Sequence, residues 1–77
     1  MLRAIVYERI VGTNETKVLF QALGSNTHML MKSLSISFQA ECKKAGLRAD
    51  VHAENVLEML VEEYGLLVKI GDDSDLI

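Results

Sequence analysis

Residues 2–23, LRAIVYERIVGTNETKVLFQAL, carry the strongest structural pattern in the chain. The first ten of them are rich in β-branched and aromatic side chains, which is typical of a strand. Residues 12–15 (GTNE) have turn chemistry, because glycine and asparagine tolerate positive φ and short polar side chains bond the local backbone. Residues 17–23 alternate between two faces. The stretch therefore predicts a β-hairpin with strands over 2–11 and 17–23.

Beyond the hairpin, apolar residues recur at three- and four-residue spacings, the period of an amphipathic helix. A first helix is predicted from a cap among residues 25–27 to about Ala45, and Gly46 ends it. Asp50 is predicted to cap a second helix, which Gly65 ends. The two apolar stripes are Thr27, Leu30, Met31, Leu34, Phe38, Cys42 and Ala45, and then Ala53, Val56, Leu57, Leu60, Val61 and Tyr64.

Residues 66–70 (LLVKI) predict a third strand, and residues 71–77 an acidic C-terminal tail. The order ββααβ indicates a single α+β domain over 1–77. We expect a two-layer sandwich, in which two antiparallel helices cover one face of the hairpin and third strand. Two antiparallel helices would return the chain to the end of the sheet it left, so the third strand is expected to run parallel to the first. Which strand it neighbours is left open.

Composition excludes several classes of protein. The chain has 77 residues, 49% of them apolar, and no proline, which is unlike a disordered or Pro-rich chain. The single cysteine, Cys42, permits no intrachain disulfide, and one cysteine with two histidines cannot close a zinc site. No apolar run approaches the ~18 residues of a membrane span. We therefore expect a cytoplasmic protein that uses no metal and no cofactor.

One cluster has residue types that could act in catalysis or bind a metal: Asp50, His52 and Glu54. In an extended segment their alternate spacing would put them on one face. With Asp50 as a helix cap, however, His52 and Glu54 would point ~200° apart. His28 and Cys42 would lie about 21 Å apart along one helix, too far for a nucleophile and its base. No catalytic residue is assigned, and the chain is not expected to be an enzyme.

The period of two in the strands assigns one sheet face to the helices. That face comprises Leu2, Ala4, Val6, Val18, Phe20, Ala22, Leu66, Val68 and Ile70. The opposite, open face mixes aliphatic side chains with cations: Arg3, Ile5, Tyr7, Arg9, Val11, Lys17, Leu19, Gln21, Leu23, Leu67 and Lys69. Three interpretations remain for it: scattered surface residues, contact with a partner such as a second copy, and stacking of single-stranded nucleic acid.

In the nucleic-acid interpretation, Tyr7 stacks a base while Arg3, Arg9, Lys17 and Lys69 contact phosphates. In the partner interpretation, Ile5, Tyr7, Leu19 and Leu67 form the contact surface. A second surface is predicted on the first helix, where Met29, Ile36 and Ala40 project opposite its main stripe. A helix that is apolar on two sides is usually buried on both.

Charge is unevenly distributed along the chain. Residues 1–49 have a net charge of +4 and residues 50–77 a net charge of −7, while the whole chain has −3. The asymmetry fits attraction between the halves, within the fold or across a dimer. The negative total disfavours binding to duplex nucleic acid by electrostatics alone.

The sequence favours an intracellular protein–protein interaction module that acts as a homodimer. It would serve as an adaptor or inhibitor, and its small size suits an accessory protein of a phage, plasmid or other mobile element. Its protein partner is unidentified, and no membrane contact is expected. Two alternatives stay open. One is a single-stranded nucleic-acid-binding regulator, and the other is a small-molecule binder or enzyme with a site at a subunit interface.

Overall fold

The chain has the predicted α+β architecture and ββααβ order. In the computed structural model, which describes residues 1–75, one three-stranded sheet contacts a layer of helices. The strands are β1 (Leu2–Arg9), β2 (Thr16–Gly24) and β3 (Leu67–Asp72). Between β2 and β3 lie α1 (Thr27–Lys44) and α2 (Val56–Glu58), and α2 continues directly into a π-helix (Met59–Glu63). No helix of the described residues is long and apolar enough to cross a membrane.

The predicted hairpin is confirmed, with one irregularity. β1 and β2 pair antiparallel from Leu2 opposite Gly24 to Arg9 opposite Thr16, and the register shifts where Val6 faces Phe20 but Tyr7 faces Val18. Leu19 is therefore the extra residue of a β-bulge. Beyond the bulge the alternation of β2 is reversed. This corrects the predicted faces, because Val18 now shares the face of Tyr7.

β3 pairs with β1 and is antiparallel to it, so the predicted parallel direction is wrong. The prediction counted two crossings between β2 and β3, whereas the chain makes three. α1 carries it along the sheet once, residues 47–53 run back along α1, and the helical residues 56–63 cross again. After an odd number of crossings, β3 begins beside Tyr7, at the end of the sheet where β1 finishes.

Helix α1 begins and ends close to the predicted positions. Asn26 is its N-cap, and its side-chain oxygen accepts a hydrogen bond from the Met29 N–H at 2.9 Å. Gly46 follows the last turn with φ of +76°, the left-handed conformation that suits glycine. The side chains that α1 buries are Leu30, Leu34, Ser35, Phe38 and Cys42, so the predicted core stripe is confirmed at its centre.

The second helix begins at Val56, so the prediction that Asp50 caps it is wrong. The preceding segment, LRADVHAE over residues 47–54, alternates strictly between apolar and polar residues. Val51 is buried, and Ala49 and Ala53 are half-buried, while the four polar residues are exposed. This is the burial pattern of an extended chain with one covered face. It applies to residues 47–52, because residues 53–55 form a turn in which the Asn55 N–H donates to the His52 carbonyl at 3.1 Å. The alternation outweighs the capping tendency of Asp50.

The distance between Leu47 and His52 along α1 agrees with an extended chain over residues 47–52. The Leu47 N–H donates to the Cys42 carbonyl, and His52 lines a cleft with Met31 of the first helical turns. Cys42 and Met31 are about 16 Å apart along the helix axis at 1.5 Å per residue. Five residues must cover this distance, which requires nearly 3.3 Å per residue, the rise of a strand.

The core lies between the helix-facing side of the sheet and the inner side of α1. Its most completely buried large side chains are Leu30, Leu34, Leu60, Val6 and Val56. The aromatic rings pack at one end of this core. Phe38 stacks on Phe20 with ring centroids 6.0 Å apart, and Tyr64 meets Phe38 edge-on at 5.0 Å.

Six predicted core positions are on the surface instead: Val18, Thr27, Ala45, Val61, Tyr64 and Ile70. Ile70 is exposed because the short second helix leaves that end of β3 uncovered, and Val61 is exposed in the π-helix. A π-helix bonds i to i+5 and so is wider than an α-helix, which changes the direction of each side chain. Met59, which is not part of the predicted apolar stripe of the second helix, packs against the core.

The acidic tail begins later than predicted. Asp72 is the last residue of β3, and residues 73–75 form a 3₁₀ turn. Two hydrogen bonds from the Ser74 N–H and hydroxyl hold the pKa of the Asp72 carboxyl below its usual range. Asp73 is bound rather than free, since its carboxylate pairs with Arg3 and its N–H donates to the Met1 carbonyl at 2.8 Å. Residues 76 and 77 of the predicted tail lie outside the described part.

Candidate functional site

Three rows of side chains cross the open sheet face. The middle row contains Ile5, and one row lies on each side of it. The upper row is Val18, Tyr7 and Leu67, the middle row is Gln21, Ile5 and Lys69, and the lower row is Leu23, Arg3 and Gly71. Only the upper row is apolar across all three strands. Val18 and Leu67 are exposed, and Tyr7 between them is half-buried.

The centre of this face is already covered by its own polar side chains. Ile5 has only 8% of its surface exposed although no second layer lies over it. Arg3 is fixed beside it: a guanidinium N–H donates to the Gln21 side-chain oxygen at 2.7 Å, and the Nε atom contacts the Asp73 carboxylate. That contact is close but is not aligned as a hydrogen bond. Arg3 therefore contacts polar side chains on both sides, although its Nε atom and the Asp73 Oδ1 atom form no hydrogen bond.

The β-bulge removes two predicted residues from the open face. Leu19 lines a cleft on the helix side together with Phe20, Phe38 and Cys42. Lys17 stands opposite Glu8, one position beyond Tyr7, and so points to the side away from the Tyr7 ring. Of the four cations predicted to surround Tyr7, Arg3 is paired and Lys17 is on the other face. Arg9 and Lys69 remain exposed.

The outer face of α1 is apolar and uncovered, as predicted. Ile36, at the middle of the helix, has 67% of its surface exposed. Met29 lies two turns before it and Ala40 one turn after it on the same side, and both are also exposed. Lys32 and Lys43 flank this stripe. No other element of the described chain packs against it.

A groove of about 710 Å³ separates the outer face of α1 from the extended segment. It is lined by Gln39, Ala40 and Lys43 of the helix and by Leu47, Arg48, Ala49 and Asp50 of the segment. Leu47 is 55% exposed at its edge. Among the described residues, Lys43 and Arg48 form no ion pair, and Asp50 contacts His52 at 3.4 Å.

The two histidines line one cleft of about 400 Å³, which the sequence pattern does not predict. His28, Met31 and Lys32 of α1 line it opposite His52, Ala53 and Glu54. The helix begins only at Val56, so the predicted helical separation of His52 from Glu54 is wrong. Glu54 instead lies in a turn, in which the Asn55 N–H donates to the His52 carbonyl at 3.1 Å. The described residues nevertheless contain no group of three or more His, Cys, Asp or Glu side chains placed to hold a metal ion.

Cys42 is buried in the core, as its place in the apolar stripe predicts. Burial raises the pKa of its thiol, and the nearby Glu41 carboxylate raises it further. The thiol borders a cleft of about 370 Å³, which Phe20, Phe38, Tyr64 and Leu66 make largely apolar. A thiol with a raised pKa is a poor nucleophile at neutral pH.

One signal in the sequence would have located the groove. Residues 47–54 alternate without exception, and this period of two predicts an extended segment beside α1. The bulge at Leu19 has no comparable signal, because nothing in KVLFQAL marks an extra residue.

Family models, curated proteins and solved structures were compared with the chain, and none of them matches it.

Proposed function

We propose that this protein is a small protein–protein interaction module that acts as a homodimer. The observation that carries the proposal is the exposed apolar stripe on α1, continued by Leu47 across the groove. An apolar stripe of this kind on a small domain marks a surface that another protein covers.

The small size of the protein supports self-association. A chain of 77 residues buries only about 60% of its unfolded surface, so its monomeric core is marginal. Covering Ile36, Met29 and Leu47 in a dimer would add apolar burial without lengthening the chain. Symmetric dimers are also the commonest oligomers.

The helix side is the better dimer surface, although the sequence pattern slightly favours the sheet face. Ile5, the centre of the sheet face, is already covered, and Leu19 belongs to the helix side. In contrast, Ile36 is both central on α1 and two-thirds exposed. The apolar row of Val18, Tyr7 and Leu67 is then left for a different protein, as expected of an adaptor or inhibitor.

Sedimentation velocity across micromolar concentrations tests the proposal. The unmodified protein is expected to sediment as a dimer. Ile36→Glu is expected to weaken dimerisation by at least about a hundredfold, because the substitution removes apolar burial on both copies and places a charge in the interface.

Val61→Glu is the matched control for the helix side. Val61 is half exposed like the interface residues but lies on the π-helix, away from the α1 stripe, so this variant should remain dimeric. A wild-type monomer at every concentration would exclude the homodimer. A dimer that survives Ile36→Glu but is lost in Val18→Arg would move the interface to the sheet face.

A further inference from the structure

The apolar cleft that Cys42 borders lies where two irregularities of the backbone meet. The β-bulge in β2 brings Leu19 to this cleft. The π-helix brings Tyr64, whose N–H donates to the Met59 carbonyl five residues earlier at 3.2 Å. Bulges are over-represented next to active sites, where they redirect a side chain, and the rare π-helical turns occur frequently at functional sites. Two such features at one cleft mark it as a candidate site.

The cleft has the size and shape of a small-molecule site. Its volume is about 370 Å³, which falls at the lower end of the roughly 300–1,000 Å³ of ligand pockets. Among its lining residues, Phe38 and Cys42 are buried, whereas Leu47 and Tyr64 are exposed. The cleft therefore has a covered inner end and an open mouth.

The charged side chains that line the cleft, within the described part of the chain, are both acidic: Glu8 of β1 and Glu41 of α1. Within residues 1–75, Glu8 forms no ion pair, although Lys17 stands opposite it in the sheet. Glu41 contacts the exposed Lys44 at 3.4 Å. Burial raises the pKa of the Cys42 thiol and Glu41 raises it further, so the negative charge of Glu41 acts at the inner wall. A cleft charged in this way favours a cation over an anion.

The aromatic rings add to this preference. Phe38 packs against Phe20 and Tyr64, with ring centroids 6.0 and 5.0 Å away. Aromatic rings attract a cation through the negative charge of their faces, and they also pack against the apolar part of a ligand. The lining therefore suits an ammonium group carried on an apolar body.

We propose that this cleft binds a small lipophilic amine in its protonated form. The ammonium group lies beside the Glu8 and Glu41 carboxylates. The apolar body packs among Leu19, Phe38 and Tyr64. This function goes beyond the homodimer and does not depend on it, because a single chain supplies every lining residue.

Phenethylamine is the probe, and phenethyl alcohol and hydrocinnamate are its neutral and anionic counterparts. Heteronuclear NMR titrations at neutral pH measure each affinity and locate the site from the amides that shift. The amine should bind with a Kd of about 1 mM or tighter and should shift the amides of Leu19, Cys42 and Tyr64. The alcohol should bind about tenfold more weakly, and the anion should not bind measurably.

Glu8→Gln and Glu41→Gln test the role of charge, because each removes one negative charge and keeps the shape of the side chain. Each should weaken phenethylamine binding about fivefold and leave the affinity for phenethyl alcohol unchanged. Glu58→Gln on α2 is the control, since it removes the same charge away from the cleft and should change neither affinity.

Ala45→Met tests the location of the site. Ala45 lines the cleft and is exposed, so a longer side chain there occupies the mouth without disturbing the core. This variant should bind both the amine and the alcohol at least about tenfold more weakly, because its side chain takes the place of the ligand. The dispersion of the amide spectrum establishes that each variant is folded.

Several results would overturn the proposal. One is the absence of any shift of the cleft amides at ten times the expected Kd of phenethylamine. Another is equal affinity for the amine and the anion, or amine binding that neither glutamine variant weakens. Unchanged binding in Ala45→Met would place the amine at a different site and would equally contradict it.

Discussion

At the scale of single residues, Gly24 shows the tightest fit. A Cβ atom at this position would collide with the Leu30 backbone N–H, and it would lie 2.6 Å from the Leu30 Cα and 2.8 Å from the Met29 carbonyl carbon. The absence of a side chain lets the first turn of α1 pack directly against the end of β2.

Gly24→Ala is therefore expected to lower the free energy of unfolding by about 2 kcal/mol or more, because backbone atoms cannot move aside as a flexible side chain would. Gly46→Ala is the control, since nothing lies within 4 Å of that position and only its positive φ of +76° opposes a side chain. Urea denaturation of both variants measures the difference. Equal losses of stability would contradict the close approach.

The buried thiol of Cys42 gives a second prediction. Its pKa is raised in the folded state by burial and by Glu41, so folding favours the protonated thiol. This contribution to stability is complete below the pKa of the unfolded thiol, and it is lost as the pH rises through the folded-state value. Unfolding free energy should fall in the alkaline range, and Cys42→Ala should reduce that fall.

Reaction of Cys42 with a thiol reagent should also be slow until denaturant is added, because only 4% of the residue is exposed. Rapid labelling of the folded protein in buffer would mean that α1 does not bury this side of its surface.

At the scale of secondary structure, the start of α1 rests on one side chain. Asn26 accepts from the Met29 N–H, whereas Ser25 and Thr27 form no side-chain hydrogen bond to the helix. Asn26→Ala should cost about 1 kcal/mol of stability. Ser25→Ala and Thr27→Ala, the other two cap positions that the sequence allowed, should cost much less. Thermal denaturation of the three variants would refute the assignment if Ser25→Ala were the most destabilised.

Elements with a regular period could be predicted from the sequence. The hairpin and the buried side of α1 follow from alternation and from three- and four-residue spacing. The bulge at Leu19 could not be predicted, because it depends on how two strands fit against each other. The late start of α2 follows from the alternation around Asp50, which opposes the capping tendency of this residue.

In the candidate site, too, some features follow from a regular sequence period and others depend on tertiary packing. Exposure of Met29, Ile36 and Ala40 follows from the helical period and is confirmed. The groove beside them and the cleft that His28 and His52 both line depend on where the chain returns after α1. The apolar–polar alternation of residues 47–54 determines that return. It also changes the direction of β3 in the sheet.

At the scale of the whole molecule, β1 is the central strand although its two neighbours are far apart in the chain. β2 joins it through a short loop, but Tyr7 pairs with Leu67 some sixty residues later. Closing a loop about ten times longer costs roughly 2 kcal/mol more chain entropy. We therefore expect the hairpin to assemble before β3 docks, and β3 to be the first strand to detach. While β3 is detached, β1 presents a bare edge through which molecules exchange strands or aggregate. The Arg3 side chain pairs with the Asp73 carboxylate, and the Asp73 N–H donates to the Met1 carbonyl. Both contacts hold the end of β3 to β1 and so shorten the time for which this edge is exposed.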